Sequence, residues 1–154
     1  MQMVINGVGG QGVLFLSKII TDAAVSKQFR IFASETVGMA QRGGSVVSFV
    51  KIGNKYNSPM IIPGTADILI CLQERELENG KGYLKENGLK YINSDKYFNA
   101  TKLALESGNP SMANIIFLGY ITNDENFPFE KDDIYKILPE KTKKFFDIGA
   151  NFSL

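Results

Sequence analysis

Histidine is absent from this 154-residue sequence, and cysteine occurs once, as Cys71. Without histidine there is no Ser-His-Asp or Cys-His nucleophile system and no histidine general base. A single cysteine makes no internal disulfide, no cysteine-rich zinc site and no iron–sulfur cluster. No metal site is expected. Tryptophan is also absent, and no apolar run reaches the about 18 residues of a membrane span. Charge of either sign is scarce in excess: 17 basic against 16 acidic residues leave +1. That balance carries no electrostatic footprint for nucleic acid. No charged segment precedes the first apolar run, so no secretory signal is read, and a cytoplasmic location is expected.

Apolar residues make up 44% and charged residues 21%, the proportions of a globular protein. The length argues for one domain, 1–154, which buries roughly 70% of the surface of its unfolded chain. Cys71 lies in Asp67-Ile68-Leu69-Ile70-Cys71-Leu72, the pattern of a buried strand. There it reads as a small core residue rather than a nucleophile.

Glycine is plentiful, and its placement is informative. Asn6-Gly7-Val8-Gly9-Gly10-Gln11-Gly12-Val13 follows the apolar run Met3-Val4-Ile5 and precedes an amphipathic segment. The order predicts strand, glycine turn, helix. Gly7, Gly9 and Gly12 stand at G-x-G-x-x-G spacing, and Gly10 adds a fourth glycine. Such a loop lets backbone N–H groups approach a ligand with no Cβ in the way. The helix start adds unpaired N–H groups and a positive dipole end, so a phosphate or pyrophosphate fits there. The alternative is a tight turn that binds nothing.

The first strand is apolar on both faces, which predicts a central, parallel position. Val13, Leu16, Ile20, Ala23 and Ala24 keep helical spacing from Gln11 to about Lys27. Phe29 to Ala33 reads as a second strand. Glu35 stands where a dinucleotide-binding unit holds its ribose, about 20 residues past the glycines. The crossover helix such a unit needs is missing, however. Thr36-Val37-Gly38-Met39-Ala40-Gln41-Arg42-Gly43-Gly44 is short and broken by glycine. A strand over Ser45–Ile52 and a turn at Gly53-Asn54 predict a hairpin that returns from Lys55 to Ile61. The segment Glu35–Gly44, with Thr36, Gln41 and Arg42 as its polar groups, is a second candidate site, since ligands of open α/β sheets bind beyond the carboxyl ends of strands. Arg42 offers a forked contact to phosphate; a solvated arginine is the plainer reading.

Ala66 to Leu72 predicts a central strand, Glu74 to Glu86 a helix weakened by Gly80 and Gly82, and Tyr91 to Asn93 a short strand. Further helices are predicted over Asn99–Ser107, Met112–Ile121, Glu130–Leu138 and Glu140 to about Phe146. The Met112 helix is apolar nearly all round, so it is buried, and Asn114 within it must find hydrogen bonds. The residues from Asp147 read as a tail. Together these elements predict a three-layer, Rossmann-like α/β domain. Its sheet is mostly parallel, with a β-hairpin in place of the second crossover helix.

Three segments resemble one family: Gly7-Val8-Gly9-Gly10-Gln11-Gly12-Val13, Glu35 through Ser45, and Ser58-Pro59-Met60-Ile61 with Ala66-Asp67-Ile68-Leu69-Ile70. They are similar to the gamma subunit of 2-oxoacid:ferredoxin (or flavodoxin) oxidoreductases, of the pyruvate, 2-oxoglutarate, 2-oxoisovalerate or indolepyruvate type. The likeness spans almost the whole chain. It implies a non-catalytic subunit of a complex that oxidatively decarboxylates a 2-oxoacid to an acyl-coenzyme A. Thiamine diphosphate and iron–sulfur clusters would belong to partner subunits, and electrons would pass to ferredoxin or flavodoxin. It further implies that Gly7, Gly9, Gly10, Gln11, Gly12, Thr36, Arg42, Gly43 and Gly44 help bind coenzyme A at a subunit interface. Two rivals stay open: a stand-alone NAD or FAD domain with Glu35 on ribose, and an assembly subunit with no ligand.

Overall fold

The structure, a computed structural model, describes residues 1–37 and 43–152. Arg42 therefore lies outside the described residues. By contact the chain divides into two compact units, Met1–Ile92 and Asn93–Leu154.

The first unit is built on a five-stranded sheet in the order β2-β3-β1-β4-β5. Its strands are β1 (Gln2–Val8), β2 (Ile31–Val37), β3 (Ser45–Ile52), β4 (Ala66–Cys71) and β5 (Leu84–Ile92). Met3, Val4 and Ile5 are fully buried, which accounts for β1 at the centre. The α/β reading holds, but the sheet is evenly mixed rather than mostly parallel. β1 runs parallel to β4 and β4 to β5, whereas β1–β3 and β3–β2 are antiparallel.

That mixture follows from a hairpin in place of the second crossover helix, though not the hairpin expected. β2 pairs with β3 from Ile31↔Ile52 to Val37↔Val46. The stretch after Gly53 forms no strand: neither Pro59 nor Pro63 has an N–H to donate to a ladder. Instead, only Ile61 of this stretch inserts into the core, beside Val4, Ala66 and Leu69. β2 also runs further than expected, so Glu35 and Thr36 are strand residues rather than loop residues.

Helix α1 (Val13–Ser26) buries Val13, Leu16, Ile19, Ile20, Ala23 and Ala24. Ser48 of β3 donates to the Ser17 hydroxyl at 2.8 Å, so the buried side chains of β3 face α1. On the opposite face lies the cluster of Val4, Ile61, Ala66 and Leu69, with Val47, Phe49, Leu77 and Tyr83 against it. The helix expected over Glu74–Glu86 shrinks to a 3-10 turn, Glu74–Glu76, and a short α2, Leu77–Lys81. Gly80 and Gly82 weaken the helix, and pairing with β4 draws Leu84 onward into β5, seven residues before the expected strand.

The second unit is helical: α3 (Ala100–Glu106), α4 (Ala113–Ile121), α5 (Lys131–Tyr135) and α6 (Glu140–Ala150). Asn99 caps α3 by accepting from the Lys102 N–H at 2.8 Å. α5 is shorter than expected and opens on a capping box between Glu130 and Asp133. α4 is buried from Asn114 to Gly119, as its all-round apolarity requires. Asp147 to Ala150 are not a tail but the last turn of α6. A Cβ on Gly149 would overlap the Ile116 carbonyl, and one on Gly119 the Phe146 carbonyl. Two helices cross there backbone to backbone, and that contact holds the final turn in place.

Candidate functional site: the glycine loop at the mouth of the first helix

Four residues separate β1 from α1, and two of them take left-handed backbone: Gly10 at φ +94° and Gly12 at φ +77°. An L side chain at such an angle costs about 1–2 kcal/mol, so glycine is the fitting residue. A Cβ on Gly10 would meet nothing within 4 Å, so its backbone borders open space. Gly12 is the N-cap of α1. No side chain caps this helix start, and no acidic residue stands in its first turn. Among the described residues, no acidic side chain of its first turn offsets the positive dipole end.

The other loop residues have structural work. Gln11 accepts the Val8 N–H on Oε1 at 2.8 Å and donates from Nε2 to Gln73 Oε1 at 2.7 Å. Its amide braces the turn from inside. Gly7 is a packing glycine: a Cβ would lie 2.9 Å from Gln11 Oε1 and 3.1 Å from both Leu72 Cβ and Val13 Cγ2. The Gly9 N–H donates to the Gly44 carbonyl at 2.8 Å. That bond joins the two glycine motifs, which are 35 residues apart in the chain. Beside them lies an open depression of about 380 Å³, lined by Val8, Gly9, Gly10, Gly12, Val13, Leu14 and Val46.

Not every expected residue converges. Gly43 sits at φ +90°, exposed, with open space where a Cβ would be. Thr36 is opposite Val47, so its side chain lies on the face away from α1. Glu35 is exposed, on the α1 face of the edge strand. Cys71 is a buried free thiol whose burial pushes its pKa up to about 11, an inert core group.

Residues that were not anticipated also shape the region. Gln73 anchors Gln11. Asn6, fully buried, donates to the Glu76 carbonyl at 2.5 Å, and Asn79 donates to Glu76 Oε2 at 2.8 Å and to Ser45 Oγ at 3.3 Å. An asparagine in an otherwise apolar central strand was the available signal, since a buried amide requires partners. Val46 and Leu14 left no such mark. The arrangement offers backbone donors to an anion. Among the described residues no cluster of three or more His, Cys, Asp or Glu could hold a metal ion.

Comparison with known proteins agrees with this geometry. Residues 2–151 match the family described as pyruvate ferredoxin/flavodoxin oxidoreductase. The indolepyruvate oxidoreductase subunit IorB of Pyrococcus horikoshii is 28% identical, over 96% of this chain and 93% of that one. The gamma subunit of a keto/oxoacid ferredoxin oxidoreductase from Geobacter sulfurreducens superposes with a TM-score of 0.76. It is 25% identical, with 96% of this chain and 95% of that chain covered. The fold also recurs in the 2-oxoglutarate:ferredoxin oxidoreductase of Magnetococcus marinus, solved with 2-oxoglutarate, coenzyme A and succinyl-CoA bound. There the TM-score is 0.71 and the identity 16%, over 97% of this chain and 30% of that one. A glycine turn tied to a second glycine motif, on a mixed five-stranded sheet, thus places the chain in the pyruvate ferredoxin/flavodoxin oxidoreductase family, as a subunit of a 2-oxoacid:ferredoxin oxidoreductase.

Proposed function

We propose that this chain is a non-catalytic, gamma-type subunit that helps seat coenzyme A where it meets its partner subunits. The observation that carries the reading is the start of α1, without a side-chain cap among the described residues, beside Gly10, whose Cβ position meets none of them within 4 Å. Coenzyme A brings a pyrophosphate and a 3′-phosphate, and backbone N–H groups at a helix start suit either. In this reading Gly10 and the first-turn N–H groups of α1 supply the seat, Gly9 ties it to Gly44, Gly12 sets the helix start, and Gly7 and Gln11 hold its shape. Gly43 and Gly44 adjoin it, with Arg42 neutralising phosphate charge, whereas Thr36 stands in β2. Thiamine diphosphate, the iron–sulfur clusters and the handover to ferredoxin or flavodoxin lie with partner subunits in the cytoplasm. The curated relatives favour an indolepyruvate-type 2-oxoacid as the substrate of the complex.

Calorimetry of coenzyme A binding to the reconstituted complex tests this. Gly10→Val should weaken binding at least tenfold by placing a side chain where phosphate approaches, and Arg42→Ala about tenfold or more by removing a charged donor. Unchanged affinity in both variants overturns the reading. A thermal response of the chain to NAD, with none to coenzyme A, would instead favour a dinucleotide domain.

A further inference from the structure

Among the described residues, β2 ends the sheet and pairs only with β3. In an antiparallel ladder each residue points its N–H and C=O to one side, and successive residues alternate. The Ile52 N–H donates to the Met1 carbonyl at 2.8 Å, and the Gly53 N–H to the Arg30 carbonyl at 2.9 Å. So Ile52, Val50 and Ser48 turn toward β1, while Lys51, Phe49 and Val47 turn toward β2. Their partners Phe32, Ser34 and Thr36 turn inward. By the same parity Ile31, Ala33, Glu35 and Val37 direct their N–H and C=O groups out of the sheet. Ala33 and Glu35 are exposed, so the edge is uncovered there.

Natural edges are blunted with lysine, proline, bulges or short strands. β2 has none of these. It runs seven residues in unbroken register and carries one charge, Glu35. The opposite margin differs. β5 exposes Lys85, Glu86 and Lys90 and shifts register between Ala66 and Ile68.

The strand also fits itself. Laid antiparallel about a two-fold axis at Ser34, all seven residues pair. Ile31 meets Val37 and Ala33 meets Glu35, each twice, through their outward groups. Phe32 meets Thr36, an aromatic with a β-branched side chain, and Ser34 meets Ser34. Glu35 never faces its own copy, as it would if the pairing slid by two residues. We propose that β2 pairs with β2 of a second copy of this chain, joining two five-stranded sheets across a two-fold axis. This is independent of the coenzyme A reading.

Cross-linking of the full-length chain, alone and in its complex, tests the register. In this pairing Ser34 sits in a non-hydrogen-bonded pair with Cα atoms about 4.5 Å apart. Ser34→Cys should give a disulfide-linked dimer under mild oxidation at least tenfold faster than Glu35→Cys. The wild type should give none, since Cys71 is buried. Ala33→Pro removes an outward N–H and spares the β3 ladder. It should raise the dimer dissociation constant at least tenfold by light scattering, with circular dichroism unchanged. A monomeric wild type at micromolar concentration, a dimer untouched by A33P, or S34C linking to a different subunit would each overturn the proposal.

Discussion

Glycine serves opposite ends in two regions of this molecule. At the mouth of α1, Gly10 borders open space, and glycine is present because the backbone takes a positive φ. At the crossing of α4 and α6, Gly119 and Gly149 are helical, and glycine is present because a Cβ has nowhere to go. The first uses glycine for a backbone angle; the second uses it for close packing. The same residue therefore reads as a site or as a joint only once its surroundings are known.

Replacing each with alanine sharpens the contrast, and the largest effect belongs to the joint. Gly149→Ala should cost about 3 kcal/mol or more, because the obstacle is the backbone of α4 and the helices must move apart. In a chain of this size that lowers the thermal midpoint by roughly 6–12 °C. A loss under 1 kcal/mol would show that the two helices do not cross so closely. Gly7→Ala should follow, at about 1–3 kcal/mol in a denaturant titration. Leu72 and Val13 crowd it, and the Gln11 brace must shift. Gly10→Ala should cost only about 1 kcal/mol, the strain of its left-handed backbone, while coenzyme A affinity of the complex falls by a larger fraction than stability does. If affinity and stability fell in parallel, the two kinds of glycine would not be distinct. Gly82→Ala is the limiting case. Its φ is −65°, and a Cβ there meets nothing within 4 Å, so alanine should stabilise by about 0.4–1 kcal/mol.

Much of this was legible in the chain. The glycine turn between an apolar strand and an amphipathic helix announced itself by spacing, and α1 matched its periodicity to within two residues at each end. The uniform apolarity of α4 foretold its burial. Pairing was not legible: Ser45–Ile52 was read as turning forward into Lys55–Ile61, whereas it pairs backward with β2 and forward with nothing. Val and Phe in alternation say that a strand exists and which residues share a face, not which neighbour it takes. The same limit hid Leu84–Lys90, whose strand character depends on β4 beside it. Gln11 shows it at the site: its sequence position suggested a ligand contact, and its amide is spent on Val8 and Gln73.

Local chemistry, then, was settled by the sequence alone. The lack of histidine and the single cysteine removed whole classes of catalysis, and the glycines and apolar periodicities marked the turns and buried faces. Tertiary structure alone decided which strands are neighbours, that Gly9 reaches Gly44, and that α6 continues to meet α4. Those are contacts between residues far apart in the chain. Their free energy depends on the fit of two surfaces, which neither surface specifies by itself.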